Sequence, residues 1–223
     1  MTRRILSMGE ALVDLLPAEH GLRRAVPGGS SYNVALALAA FAAPCAFVGR
    51  LSTDEEGAAM RARLVAAGVD VSRLAADPRP SPLAWVRRAG AQGQPRFDIY
   101  LDGTAHAPPA LDAAWLDDAA HLHVSSFSAI AGAWGEAVLA ALEAAQGRVS
   151  ISFDVNIRTA LLPPREEAAR RIEQRVALAD VIKASDEDLR WLFPDKAPDA
   201  VARRWAAAGR LVLLTRGAEG ASL

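Results

Sequence analysis

Cysteine and long apolar runs are almost absent from this 223-residue chain. Cys45 is the only cysteine, so no internal disulfide can form, and we expect a reducing cytoplasm as the compartment. The longest alanine-rich run, residues 34–44, is too short to cross a bilayer. The N-terminus also lacks the longer apolar stretch and the cleavage site of a signal peptide, so we expect neither secretion nor a membrane partner.

An excess of charge of either sign is missing as well. The chain has 25 lysines and arginines against 26 aspartates and glutamates, which gives a net charge of −1. This balance provides no electrostatic reason to expect nucleic acid or an anionic membrane as a partner. Apolar residues make up 52% of the chain, which excludes a disordered protein and is enough to build a core.

Short apolar runs alternate with amphipathic segments along the chain. The runs predict buried strands at residues 5–8, 45–48, 121–124, 149–153, 181–182 and 211–214. The segments between them predict helices at residues 31–41, 54–67, 134–145, 165–177, 186–192 and 200–207. This alternation indicates an α/β fold with a mostly parallel sheet and helices on both faces.

Two insertions interrupt this alternation, at about residues 11–27 and 83–106. The first alternates weakly and contains no helical pattern. The second contains two extended runs, 83–88 and 96–100, joined by a glycine-rich loop at 89–95 with the composition of a hairpin. We therefore predict a single α/β domain over residues 1–223 that carries a small antiparallel β-sheet lid.

A glycine-serine motif precedes the first predicted helix, in the sequence Pro-Gly-Gly-Ser-Ser-Tyr-Asn from residue 27. Gly28 and Gly29 allow close backbone approach, and Ser30 or Ser31 is predicted to cap the helix. Asn33 would then lie in the first turn, near an end that favours hydroxyl-bearing or anionic ligands. A plain Gly-Ser-capped helix is an equally good interpretation of this motif alone.

A carboxylate follows the first predicted strand, in the sequence Met-Gly-Glu-Ala-Leu-Val-Asp that ends at Asp14. Ligands of open α/β sheets collect beyond the carboxyl ends of the strands. An ionised carboxylate there can accept hydrogen bonds from two sugar hydroxyls. The competing interpretation is a solvated acid on an exposed lid strand.

In combination, these motifs resemble the ribokinase-like (PfkB) carbohydrate kinases. The resemblance also rests on the segments at residues 48–57, 97–105, 152–158, 179–189 and 214–220, which follow in the same order. The Asp-x-Asn-x-Arg motif at 154–158 is similar to that of the fructokinase and 2-keto-3-deoxygluconate kinase branch. The resemblance covers essentially the whole chain, and it implies a Rossmann-type sheet with a small β-sheet lid.

The resemblance implies a role for each matching residue. A sugar would be bound by Asp14, Gly28, Gly29, Asn33, Tyr100, Asp154 and Arg158. ATP would be bound by Lys183, Ser185, Asp188, Thr215, Arg216, Gly217 and Gly220. Asp188 would hold Mg²⁺ through water. An arginine at 158 suits a substrate carboxylate, although Arg158 could instead be a surface ion-pair partner of Asp154.

The chain departs from the family pattern at several positions. Ser185 and Asp188 stand where Asn and Glu are common, and Ser52 replaces a usual glycine. Leu101 stands where the branch often has arginine, which weakens the case for an acidic sugar. His106 replaces a common aspartate, and we predict an exposed lid histidine in preference to a substrate contact.

The family's Gly-Ala-Gly-Asp motif, which supplies an anion hole and the catalytic base, does not occur in the 223 residues. The last residues read as a strand, a turn and the start of a second strand. We therefore expect a truncated chain whose catalytic aspartate lies beyond Leu223. The sequence supplies no catalytic residue of its own, and little or no kinase activity is expected from this chain alone.

The implied reaction is ATP-dependent phosphorylation of a primary hydroxyl of a small sugar, either fructose-like or 2-keto-3-deoxygluconate-like. Exposed lid edges also suggest a homodimer. Three alternatives stay open. The first is a non-catalytic sugar-binding remnant of a shortened kinase gene, and the second is a nucleoside kinase of the same fold. The third is a nicotinamide-dependent dehydrogenase, which is disfavoured because no Gly-x-Gly-x-x-Gly follows the first strand.

Overall fold

The computed structural model of the chain describes residues 3–87, 96–112 and 114–223. The chain divides after Asp118 into two compact units. The hairpin loop predicted at 89–95 and Arg88, the last residue of a predicted strand, lie outside the described residues. The single domain that the sequence predicts stays a prediction.

The first unit combines a three-stranded parallel sheet with a four-stranded lid. Its elements are β1 (Arg4–Met8), β2 (Leu12–Pro17), β3 (Arg23–Gly28), α1 (Ser30–Ala40), β4 (Cys45–Ser52), α2 (Glu55–Ala66), β5 (Leu74–Asp77), β6 (Leu83–Arg87) and β7 (Arg96–Tyr100). β4 pairs in parallel with β1 on one side and β5 on the other. The sequence prediction missed β5, since its four residues Leu-Ala-Ala-Asp contain no β-branched or aromatic side chain.

The lid contains strands in the order β3-β2-β6-β7. β2 pairs antiparallel with β3, and β6 pairs antiparallel with β7, as the sequence predicts. The central pair β2–β6 is parallel, however, so the expectation of a wholly antiparallel lid was wrong. Parallel neighbours need a long crossover connection, and the stretch from β3 to β5 that separates the two insertions provides it.

The core of the first unit lies around α1, α2 and β4. Tyr32 and Phe47 are fully buried, and their rings meet edge to face with centroids 6.0 Å apart. Asp54 caps α2 by accepting a hydrogen bond from the Gly57 amide at 2.8 Å. The same carboxylate accepts hydrogen bonds from the amide and the hydroxyl of Ser81, so it also fixes the segment that enters the lid at β6.

The second unit contains a five-stranded sheet in the order β8-β9-β10-β11-β12. Its elements are β8 (Ala119–Ser125), α3 (Gly132–Ala145), β9 (Ser150–Asp154), α4 (Arg165–Leu178), β10 (Val181–Ser185), α5 (Asp186–Leu192), α6 (Pro198–Ala206), β11 (Leu211–Thr215) and β12 (Ala221–Ser222). The strands β8 to β11 are parallel, and β12 runs antiparallel to β11.

Side chains alternate strictly between the two faces of this second sheet. One face is buried and apolar, and it includes Leu122, Ile151, Phe153, Ile182 and Leu214. The other face carries a polar, half-buried set, which includes His121, His123, Ser152, Asp154 and Lys183. The polar set ends at the carboxyl edge of the sheet. Every strand and helix that the alternation predicts is present, with ends shifted by a few residues, so the α/β prediction is confirmed.

Candidate active site

Asp14 lies against the end of β3 in the lid. Its side chain is half-buried on β2, diagonally across from Gly28, which pairs with Leu12. A Cβ atom built at Gly28 would overlap Oδ2 of Asp14. The carboxylate therefore has its present position because residue 28 has no side chain.

The start of α1 differs from the sequence prediction. Gly29, at φ +109°, is the N-cap residue, and a Cβ there would lie 2.6 Å from the Glu10 carbonyl oxygen. The buried Glu10 carboxylate accepts a hydrogen bond from the Ser30 amide at 2.9 Å. The predicted capping by Ser30 or Ser31 was wrong, because Glu10 reaches this helix end and the Ser31 hydroxyl donates to the Met8 carbonyl at 2.9 Å.

Glu10 already supplies negative charge at the N-terminus of α1. Asn33 lies in the exposed first turn of this helix, where its amide faces solvent. The structure therefore places Asp14, Gly28, Gly29 and Asn33 around the β3–α1 junction, and their role in sugar binding stays a prediction. The arrangement suits neutral hydroxyl groups better than an anion, since two carboxylates already lie at this junction.

Tyr100 is on the other face of the lid. In the lid register, Tyr100 pairs with Leu83, and Leu83 pairs with Val13. Asp14 instead pairs with Ala84. Because neighbouring residues of a strand point to opposite faces, the structure does not bring Tyr100 together with Asp14. Tyr100 is 57% exposed, and its contact with a sugar stays a prediction.

The turn after β7 holds His106 in a half-buried position, so the prediction of an exposed histidine was wrong. The Ala105 amide donates to the Pro80 carbonyl at 2.8 Å and draws this turn against the chain that precedes β6. Burial, with a smaller contribution from Arg79, lowers the pKa of His106 to about 4. The Thr104 hydroxyl donates to the Leu101 carbonyl at 2.6 Å, which closes the turn.

Asp154 lies at the carboxyl end of β9 in the second unit, where ligands of parallel sheets bind. Its Oδ1 is 3.1 Å from Nζ of Lys183, the residue paired with it on β10. Burial raises the pKa of Asp154. The positive charges of Lys183 and Arg158 lower this pKa, whereas the negative charge of Asp188 raises it further. The ammonium group of Lys183 thus lies beside the sugar motif, and the nucleotide-binding role that the sequence assigned to Lys183 stays a prediction.

The loop that follows Asp154 has unusual backbone conformations. Asn156 has φ +35°, and Ser126 at the end of β8 has φ +62°. The Ser126 amide donates to the Asp154 carbonyl at 3.0 Å, and its hydroxyl donates to the Asn156 carbonyl at 3.2 Å. Such conformations in residues other than glycine often mark functional sites. Sequence reasoning missed Ser126, although the serine-rich run at 125–128 directly after a strand was a visible signal.

Arg158 completes the Asp-x-Asn-x-Arg motif. Its Nη1 donates to the Ile157 carbonyl at 2.9 Å, and its charge lowers the pKa of Asp154 against the effect of burial. Both roles considered for Arg158, contact with a substrate carboxylate and ion pairing with Asp154, stay predictions.

Asp188 joins the sugar motif to the predicted nucleotide region. Its Oδ1 accepts a hydrogen bond from the Ile157 amide, and its Oδ2 accepts one from the Ser185 amide, both at 2.9 Å. The Ser185 hydroxyl accepts in return from the Asp188 amide at 3.0 Å, which completes a capping box at the start of α5. Asp188 therefore braces the loop at 155–158 as well as its own helix.

Thr215 ends β11 beside Ser185, in register with it. The turn that follows contains Gly217 at φ +53° and Gly220 at φ +88°, and it is closed by the Arg216 amide, which donates to the Gly220 carbonyl at 2.8 Å. The Arg216 guanidinium pairs with Asp199 at 2.6 Å. The structure thus brings the predicted nucleotide residues to one edge of the second sheet.

The match to the pfkB family carbohydrate kinases covers residues 2–223. The chain belongs to the PfkB family of carbohydrate kinases. It is 37% identical over 225 residues to the fructokinase of Rhizobium leguminosarum bv. trifolii, a match that covers 98% of this chain and 68% of that relative.

Solved structures show the same relationship. The fructokinase of Xylella fastidiosa with bound ATP is 29% identical, with a TM-score of 0.84 over 98% of this chain and 70% of that one. The fructokinase of Vibrio cholerae O395 in a form with bound fructose, ADP and calcium ion is 28% identical, with a TM-score of 0.81 over 99% of this chain and 72% of that one. The resemblance to PfkB kinases and the ribokinase-like fold are therefore confirmed.

A metal ion bound by this PfkB kinase would need few protein ligands. In the described ranges, no group of three or more histidine, cysteine, aspartate or glutamate side chains could hold a metal ion. Mg²⁺ is commonly held by one or two carboxylates together with water and substrate phosphates. Asp188 fits that pattern, since each of its oxygens keeps a lone pair beyond its amide hydrogen bond. Of the helices in the same ranges, none has the length and apolarity to span a membrane.

Proposed function

We propose that this PfkB kinase transfers a phosphoryl group from ATP to a primary hydroxyl of a small sugar, with a fructose-like ketose as the first candidate and 2-keto-3-deoxygluconate as the second. The observation that carries the proposal is the Asp14 carboxylate held against Gly28 at the end of β3. The fructokinase relatives, and the related structures with bound ATP and bound fructose, support it.

Asp14 and Asn33 are the sugar-binding groups of the first unit in this proposal. A half-buried carboxylate accepts hydrogen bonds from two adjacent hydroxyls, and an exposed amide both donates and accepts. Leu101, where the acid-binding branch often has arginine, favours a neutral sugar. The negative charges of Glu10 and Asp14 also favour a neutral sugar, because they would repel an anionic substrate.

The second unit supplies the groups for the transferred phosphate and the nucleotide. Lys183 and Arg158 place positive charge at the carboxyl edge of the sheet, where it would stabilise phosphate oxygens. Ser185, Thr215, Gly217 and Gly220 line the nucleotide region in this proposal. Mg²⁺, held through water by Asp188, would neutralise phosphate charge when bound. Transfer of this kind depends mainly on positioning and charge stabilisation.

Asp14→Asn tests the sugar site directly. We expect the affinity for fructose, measured by isothermal titration calorimetry, to fall about tenfold to a hundredfold. A hydrogen bond to a charged group contributes about 1.5–3 kcal/mol, and the amide offers a weaker acceptor. Asp98→Asn is the matched control, because Asp98 is an exposed lid carboxylate on the opposite face, paired with Arg87. Equal losses in the two variants would contradict the assignment of Asp14.

A second prediction concerns turnover by the 223-residue chain. The sequence contains no Gly-Ala-Gly-Asp motif to remove the proton from the attacking hydroxyl. We expect fructose binding by calorimetry but little or no ADP release when fructose, ATP and Mg²⁺ are supplied together. Full turnover would show that another group within the chain acts as the base. Binding without turnover would agree both with a kinase whose base is not among these 223 residues and with the non-catalytic sugar-binding alternative.

We also propose a cytoplasmic homodimer that forms through the lid. β3 and β7 are the edge strands of the lid, and unpaired strand edges favour association. Leu22, which precedes β3, is 66% exposed, and Tyr100 at the end of β7 is 57% exposed. Light scattering coupled to gel filtration measures the mass in solution, and a monomer at micromolar concentration would contradict this part of the proposal.

A further inference from the structure

The most deeply buried charged side chain of the second unit is that of Arg175 on α4, which is 1% exposed. Its guanidinium donates to four neutral oxygens. The acceptors are the carbonyls of Ala129 at 2.9 Å, Gly135 at 2.6 Å and Arg171 at 3.1 Å, and the side-chain amide of Gln174 at 3.0 Å. Two of these hydrogen bonds therefore leave α4: one reaches Ala129 in the chain between β8 and α3, and the other reaches Gly135 in the first turn of α3.

Arg171, one turn earlier on α4, reaches the same chain. Its Nη1 donates to the Ile130 carbonyl at 3.1 Å, while its Nε pairs with Glu167 at 2.7 Å. Residues 127–130 are all buried, and their carbonyls need partners inside the protein. Two arginines of α4 thus hold one buried loop, residues 126–131, which we call the β8–α3 loop.

The other end of the β8–α3 loop is bonded to the predicted sugar motif. Ser126 begins this loop with φ +62° and ψ −161°, a combination that is unfavourable for any residue but glycine. Its amide and hydroxyl donate to the carbonyls of Asp154 and Asn156. A continuous path of hydrogen bonds therefore runs from Arg175 through the loop to the backbone of the Asp-x-Asn-x-Arg motif.

We propose that Arg175 is a positioning residue for the sugar-binding loop at 154–158, and that it acts through the β8–α3 loop and Ser126. The inference rests on the proposed function for the identity of the ligand. The connection from Arg175 to the loop at 154–158 consists of hydrogen bonds within the chain, and it does not depend on which ligand binds. The arginine side chain bonds the Ala129 carbonyl in the loop and the Gly135 carbonyl in α3, and the loop then holds the strained Ser126 backbone against Asp154 and Asn156.

Stability alone is a poor explanation for this arginine. Burying a charge is unfavourable, and apolar residues of similar volume often serve a core as well or better than a buried charge. Burial lowers the pKa of Arg175, while Glu136 opposes that effect. The guanidinium offers something that an apolar residue cannot, namely several donors in a fixed plane that hold separated carbonyls in a defined geometry.

Arg175→Met, examined by hydrogen–deuterium exchange, tests the path without any ligand. The reporter is the Ile157 amide, which donates to Asp188 in the loop at 154–158. We expect it to exchange about threefold to tenfold faster, the change expected for a lost hydrogen bond of about 0.5–1.5 kcal/mol. Arg175→Lys, which keeps the charge but cannot hold all these acceptors, should give an intermediate rate.

Ile172→Ala is the matched control. Ile172 is fully buried on the same helix and has no hydrogen-bonding side chain. Exchange is compared at denaturant concentrations that give the two variants equal global stability. Faster exchange at Ile157 in Arg175→Met alone supports positioning. Faster exchange confined to residues 127–135, or equal acceleration in both variants, would overturn the proposal and leave Arg175 a structural residue.

Ser126→Ala tests the far end of the path, and it keeps the proposal falsifiable if Arg175→Met does not fold. It removes the hydroxyl that donates to Asn156 and leaves the Arg175 contacts in place. We expect faster exchange at Ile157 with residues 127–135 unchanged; an unchanged rate at Ile157 would break the proposed path.

Fructose affinity, measured by calorimetry on the same variants, should fall in Arg175→Met and not in Ile172→Ala. If the unmodified chain binds no sugar, the proposed function fails, while the exchange rates still decide the role of Arg175.

Discussion

Gly28→Ala is expected to weaken fructose binding by about a hundredfold or more. The new methyl group would overlap Oδ2 of Asp14, and the carboxylate would have to turn away from its present position. Gly28 does not have a positive φ, so alanine fits its backbone and the steric cost falls on Asp14. Losing two hydrogen bonds to a charged acceptor accounts for the effect, at about 1.5–3 kcal/mol for each.

Two controls separate this steric effect from a general loss of stability. Gly68→Ala adds a methyl group that meets open space in the same unit, at φ +83°, so it destabilises the fold without touching Asp14. In the background of Asp14→Ala, Gly28→Ala should add no further loss of affinity, because the group it displaces is gone. Additive losses in that double variant would show that Gly28 acts by a route other than Asp14.

The elements that the sequence predicted well are those with a strong local pattern. Apolar runs of four or five residues gave β9 and β11, and alternation gave the lid strands. The short strand β5 was missed because alanine carries little signal for strands. The parallel pairing of β2 with β6 was missed for a different reason. Pairing between two distant insertions depends on the fold that connects them, and no local pattern in either insertion reports it.

The candidate site shows the same division between local and long-range information. The motifs named Asp14, Gly28, Gly29 and Asn33, which the structure places around the β3–α1 junction, and their binding of a sugar stays a prediction. The capping of α1 was mispredicted, since the carboxylate that reaches the helix end comes from Glu10, twenty positions earlier in the chain. Lys183 was assigned to the nucleotide because of its position in a motif. Its contact with Asp154 follows from strand register, which the motif does not contain.

His123 should make the fold strongly sensitive to acid. Burial, with a smaller effect from His121, lowers the pKa of His123 to about 4, from the ordinary value of 6.5. Its Nδ1 lies 2.8 Å from the Ser152 hydroxyl. Its Nε2 is buried and, within the described part of the chain, lacks a hydrogen-bond partner. Protonation would place an N–H group at that position, which is why the folded state disfavours the charged ring.

The sign of the pH dependence follows from this lowered pKa. Between pH 6.5 and about 4 the unfolded chain binds a proton at His123 that the folded chain does not, so stability falls as the pH falls through this window. The full effect corresponds to roughly 3 kcal/mol, at about 1.4 kcal/mol for each pH unit. Above pH 6.5 both states are neutral at this position, and the contribution is constant.

His123→Asn should reduce the loss of stability between pH 7.5 and pH 4.5 by about 2 kcal/mol. Asparagine can keep a hydrogen bond to Ser152 and carries no titrating group. Urea unfolding at the two pH values measures the difference, and an unchanged difference would contradict the account. His20→Asn is the control, because His20 is an exposed turn residue at φ +55°, a conformation that asparagine accepts. The acid sensitivity should remain in that variant, since the His123 ring with its buried Nε2 is still present.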